Sequence, residues 1–109
     1  MAAITRLNIV NPAANTNTIA FTSTGPFLVA VIATNKSTTT NSSFSVWIAP
    51  GGTDTEGGRG YIAANLPLTI SNTYETIRFV VNATDVVRVQ ATTADVSFTI
   101  VGIDQTDAI

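Results

Sequence analysis

The sequence predicts an all-β protein: a single antiparallel β-sandwich of about eight strands, of the jelly-roll or immunoglobulin-like kind. Three observations carry this expectation. The chain holds 19 Thr, 11 Val and 11 Ile among 109 residues, and such β-branched side chains are stiff at χ1 and suit pleated strands better than helices. Short apolar runs recur about every ten residues between clusters of Asn, Gly, Pro and Ser, the spacing of a sandwich or barrel. No segment holds a helical apolar period. The length fits one domain, 1–109, with 104–109 expected as a polar tail.

The first strand is expected over 4–10, with Ile4, Leu7 and Ile9, and is closed by Asn11-Pro12 because Pro12 has no N–H to donate. The second covers 18–22 and stops at Thr24-Gly25-Pro26. Residues 27–33 are almost wholly apolar and too few for an ordinary helix, which fits a central strand covered on both faces. The polar tract 36–43 reads as a hairpin connection. In the fourth strand, Phe44, Val46 and Ile48 alternate with Ser43, Ser45 and Trp47. Period two sends the first set to the core and leaves Trp47 on the outer face or under a neighbouring loop. Residues 50–60, with five glycines, form a flexible-looking connection.

The fifth strand is expected over 61–66, ending at Pro67, and the sixth as one continuous strand over 73–81. In that sixth strand Glu75, Ile77, Phe79 and Val81 oppose Tyr74, Thr76, Arg78 and Val80. Strands at 86–91 and 96–103 follow turns at 82–85 and 92–95. The expected core is Phe21, Val29, Val31, Phe44, Val46, Ile48, Ile77, Phe79, Val87, Val89, Phe98 and Ile100.

Only 11% of residues are charged, and there is no His and no Cys. Triads built on His, cysteine nucleophiles, thiolate or imidazole metal sites and disulfides are thereby excluded. A net charge of -2 with five scattered basic residues gives no footprint for nucleic acid. No apolar run is long enough to span a membrane as a helix. The composition favours binding or assembly over catalysis, and no cofactor is expected. Sheet edges with so little charge to protect them point to cover by another subunit, the alternative being a monomer with bulged or short edges.

Few constellations suggest chemistry. Asp54 and Glu56, near Arg59, could offer oxygens to Ca²⁺, but without EF-hand order they read better as a solvated loop tip. The glycines of 51–60 lack the Lys and the helix of a phosphate-binding loop. Glu75 and Arg78, three apart, should point to opposite faces of one strand, and Arg78 and Arg88 could meet Glu75 or Asp85 only if register allowed. No spacing singles out a carboxylate pair for glycoside hydrolysis. Three Asn-x-Ser/Thr sequons, at Asn35, Asn41 and Asn82, match chance at this composition. Trp47, Tyr61 and Tyr74 fall outside the expected core, as aromatics with one wet edge do at interfaces and sugar platforms. With Arg59, Arg78 and Arg88 they form the candidate interface set.

The runs Leu28-Val29-Ala30-Val31-Ile32-Ala33-Thr34-Asn35-Lys36-Ser37, Ser45-Val46-Trp47-Ile48-Ala49-Pro50, Asn72-Thr73-Tyr74-Glu75-Thr76-Ile77-Arg78-Phe79 and Asp95-Val96-Ser97-Phe98 resemble the small β-sandwich virion proteins of tailed bacteriophages, especially those of marine cyanobacteria. The resemblance covers about residues 4–103 and consists of strand patterns, so it transfers no site residues. It implies a non-enzymatic component of the virion: a capsid decoration or cement protein, or a neck, tail or fibre subunit. Its partners would be copies of itself and other virion proteins. The alternative is a carbohydrate-binding module or adhesin that takes a surface glycan on its aromatics.

Overall fold

A computed structural model describes residues 3–105. Nine strands appear in it: β1 (Thr5–Val10), β2 (Thr18–Thr22), β3 (Phe27–Asn35), β4 (Ser42–Ala49), β5 (Gly60–Leu68), β6 (Thr73–Glu75), β7 (Phe79–Val81), β8 (Val86–Ala91) and β9 (Val96–Asp104). Two single 3₁₀ turns, Pro50–Gly52 and Glu56–Gly58, lie between β4 and β5. All strand pairs are antiparallel. One sheet runs β1-β9-β3, with β6 and β7 both on the far side of β3, and the other runs β2-β8-β4-β5. Counting β6 and β7 as halves of one interrupted strand leaves eight strands in the connectivity of a jelly roll, within the predicted class.

The core lies between the sheets because one parity of each central strand is apolar. Val29, Val31 and Ala33 of β3 meet Phe44 and Val46 of β4, Val87 and Val89 of β8, and Val96, Phe98 and Ile100 of β9. The expected core holds, with three exceptions. Phe21 and Ile48 are only partly buried against it, and Ile77 is 74% exposed. Leu68 and a set of alanines fill the remaining space.

Ile77 leaves the core because strand 73–81 is not continuous. Thr76 inserts its hydroxyl into the ladder: its backbone N–H donates to the Val31 carbonyl at 2.9 Å, and its Oγ1 accepts from the Val31 N–H at 2.9 Å. A side-chain oxygen thus replaces a backbone carbonyl, and the residues after it change parity. Ile32 pairs with Glu75, but Val29 pairs with Phe79. Three β3 steps therefore match four steps on the partner, as in a bulge.

The tract 36–43 is not a hairpin, since β3 and β4 lie in different sheets. Asn35, fully buried, organises the crossing. Its Nδ2 donates to the carbonyls of Thr40 and Leu68, and its Oδ1 accepts from the Ser37 N–H. A sequon asparagine so enclosed cannot carry a glycan in the folded chain. Two expected boundaries also move. β5 runs through Pro67, which an edge strand tolerates. Asp104 belongs to β9 and the Gln105 N–H donates to the Pro26 carbonyl, so these two residues of the expected tail are part of the sandwich. Residues 106–109 lie outside the described residues.

Every edge strand is blunted by the chain itself. Register shifts interrupt β1, β2 and β5, and β6 and β7 have three residues each. Bulged and short edges resist pairing with another chain, so the edges do not need a covering subunit.

Candidate interaction surfaces

The outer face of the β2-β8-β4-β5 sheet carries a cross-strand row of Ile19, Arg88, Trp47 and Tyr61. Trp47 points outward, as its parity predicts, yet is 1% exposed. The 50–60 segment covers it, which is the second of the two placements expected. Asp54 holds the cover in place. Its Oδ1 accepts from Trp47 Nε1 at 2.9 Å and Arg59 Nε at 2.8 Å, and its Oδ2 accepts from Asn17 Nδ2 at 2.7 Å. The Arg59 guanidinium lies 4.3 Å from the centre of the Trp47 ring, a cation–π stack. Arg88 Nε lies 3.8 Å from Asp54 Oδ2, and its Nη1 donates to Asn17 Oδ1.

Asp54 is therefore not a solvated loop tip. Its hydrogen bond from Arg59 is the largest of the influences that hold its carboxyl at about 2, against an ordinary 3.8, with Asn17 and Trp47 adding to it over an opposing burial effect. The same contact raises the Arg59 guanidinium. Calcium does not suit the arrangement: Arg59 bonds Asp54 with Nε and Glu56 with Nη1, each at 2.8 Å, and fills the place between the carboxylates. Among the described residues no cluster of His, Cys, Asp or Glu could hold a metal ion.

Beside this cover lies an open concavity of about 350 Å³, with Ser45, Tyr61, Asn65 and Gln90 among its lining residues. Tyr61 is 41% exposed, but its hydroxyl is engaged by Arg59 and Glu56. Tyr74 is on the other sheet, packed against Phe44 with ring centres 5.5 Å apart. The six candidate interface residues therefore do not form one surface. Trp47, Arg59, Tyr61 and Arg88 gather on one sheet, and Tyr74 and Arg78 belong to the other. Arg88 meets Asp54 rather than Glu75 or Asp85.

The outer face of the β1-β9-β3-β6/β7 sheet is different in kind. Register places Ile103, Leu28 and Val80 in one row, Arg6, Val101 and Ala30 in the next, then Ile9, Thr99, Ile32 and Glu75, and finally Ser97, Thr34 and Thr73. The first two of these rows are mainly apolar, the third is half apolar and the last is polar. Ile4, Ile9 and Val80 are exposed large hydrophobics, and Ile77 projects from the strand break at the margin. A hollow of about 140 Å³ opens above Ala30 and Gly102, walled by Leu28, Val101, Glu75 and Arg78. The sequence places Glu75 and Arg78 on opposite faces; the parity change at Thr76 puts both beside this hollow.

One of these features lay beyond the sequence pattern. Asn17 and Asp54 join through space across the sandwich surface, and only the outward Trp47, needing cover, hinted at them. The apolar outer face had a clearer signal, because both parities of 27–33 are apolar. The expectation that 27–33 is covered on both faces is not met: among the described residues its inner face is buried, while Leu28 and Ile32 on the outer face are only half-buried. No family model matches the chain, and neither the curated proteins nor the solved structures provide a match.

Proposed function

We propose that this chain is a non-enzymatic assembly module of a tailed-phage virion, a capsid decoration or cement protein or a neck, tail or fibre accessory subunit. The observation that carries this reading is the apolar outer face of the β1-β9-β3-β6/β7 sheet, which an isolated domain in water would not keep without use. The low charge and the resemblance of the strand patterns support it. The connectivity adds an analogy only, since double-sheet jelly rolls serve as capsid domains and also as lectins. Mass spectrometry and antibody labelling of purified particles test it: the chain should be found in stoichiometric amounts. Its absence from particles made in cells that express it would reject the assignment.

A second reading, a glycan-binding module, has the concavity beside Tyr61 in its favour. The enclosed Trp47 offers no sugar platform there, so that reading rests on Tyr61 and its neighbouring amides. Glycan-array binding that Tyr61→Ala abolishes would support it, and a blank array would remove it.

A further inference from the structure

We infer that the apolar face of the β1-β9-β3-β6/β7 sheet is the surface on which two copies of this chain pair, about a two-fold axis lying in the interface and crossing the strands at the level of Val31. This deepens the assembly reading, and rests on it, by naming the first partner.

Three observations select a second copy. The first is the area. Nine residues of β3 and four strands' width make a face roughly 30 by 20 Å. With its side-chain relief, such a face approaches the ~800 Å² that each partner gives to a standard interface. The second is the state of the edges. Bulges and short strands close them to pairing, so face-to-face packing is the way left for this sheet to bury apolar surface.

The third is the pattern of charge and shape along the face. Glu75 sits level with Ile32, and Arg78 lies beside Ala30 in the wall of the hollow. Neither makes an ion pair within the described residues. An axis at Val31 exchanges the two levels. Glu75 of each copy then faces Arg78 of the other, twice over, and Ile32 of each enters the hollow above the other's Ala30. Val101 falls on Thr99, and Arg6 lays its apolar stem along Ile9. Leu28 comes over Thr34, whose hydroxyl is already hydrogen-bonded to that of Thr73 at 3.1 Å, leaving methyl groups to the partner. An axis along the strands would instead bring Arg6 over Arg78, and like charges so opposed are unfavourable.

Sedimentation equilibrium of the full chain tests this pairing. The wild type should be a dimer of 11.4 kDa subunits. Glu75→Arg and Arg78→Glu each place like charges across the axis twice and should weaken the dimer about tenfold or more. Both residues are exposed, so each variant should fold, as circular dichroism will verify. The double variant E75R/R78E restores opposite charges and should return the dissociation constant to near the wild-type value. A wild type monomeric throughout the measurable concentration range would overturn the pairing, and a double variant no better than the singles would overturn the axis. Particle composition separates the two conclusions: a monomer present in virions ends the pairing and keeps the assembly reading, whereas a dimer absent from virions does the reverse.

Discussion

On the β2-β8-β4-β5 sheet, an outward Trp47 is covered by the chain's own 50–60 segment and tied to Asp54, Arg59 and Arg88. On the opposite sheet, outward Ile9 is exposed and outward Leu28, Ile32 and Val101 are only half-buried. Both faces began with the same difficulty, apolar surface on the wrong side of a sheet. Where a long connection could fold back, four of the chain's few charged residues (Asp54, Glu56, Arg59 and Arg88) were spent in fixing it. On the other sheet no connection of that length folds back among the described residues, and the surface stayed open. The outward parity of a strand therefore reports only that a residue leaves the core; what covers it is decided by the loops.

Four variants break or sharpen this contrast. Trp47→Ala should have the largest effect, about 3–5 kcal/mol lost in urea unfolding, as for buried aromatic truncations in a core. A loss below about 1 kcal/mol would show that the cover is superficial. On the open-faced sheet, Gly102 packs where a Cβ would come within 2.7 Å of the Leu28 carbonyl oxygen and 2.9 Å of Leu7 Cδ1. Gly102→Ala should therefore cost roughly 3 kcal/mol, the upper part of the range for overpacking, measured by the same titration.

Asp54 makes the covered face sensitive to acid. Its folded pKa lies below the unfolded one, so its contribution is complete above 3.8 and is lost as pH falls through about 2. That contribution is on the order of 2 kcal/mol. Asp54→Asn should remove it at neutral pH and flatten the melting temperature between pH 5 and 2; an unchanged acid profile would refute the role given to this carboxylate. The smallest effect on folding belongs to Ile77→Ser, within about 0.5 kcal/mol for so exposed a site. If the open face is an interface, the same change should reduce self-association while stability holds.

Much of the fold was legible because Thr, Val and Ile in alternation leave few choices. Phe44, Val46, Val87, Val89, Phe98 and Ile100 all face inward as period two requires. The misplaced Ile77 shows the limit. Nothing in its neighbourhood announces that the Thr76 hydroxyl takes a ladder position from a backbone carbonyl, and one such substitution shifts every later residue by a face. The 36–43 crossing is similar: local turn chemistry fits hairpin and sandwich arch alike, and the buried Asn35 amide settles which forms. Of the surfaces, the apolarity of both faces of 27–33 was legible, but not that the outer one stays partly open, since an apolar run reads the same when a neighbour packs on it. The Asp54 cluster could not, since Asn17 and Arg88 reach it from 37 and 34 positions away along the chain.

The pairing of β1 with β9 has a consequence for synthesis. Both immediate partners of β9 in its sheet, β1 and β3, leave the ribosome long before it does. Until residues 96–104 emerge, β3, the most apolar segment, lacks one neighbour along its whole length. Pairing over such separations is slow, because loop closure must come before the contacts that reward it. A nascent chain halted before residue 96 should thus be the species most in need of a chaperone, and the emergence of 96–104 should let both strands close upon β9.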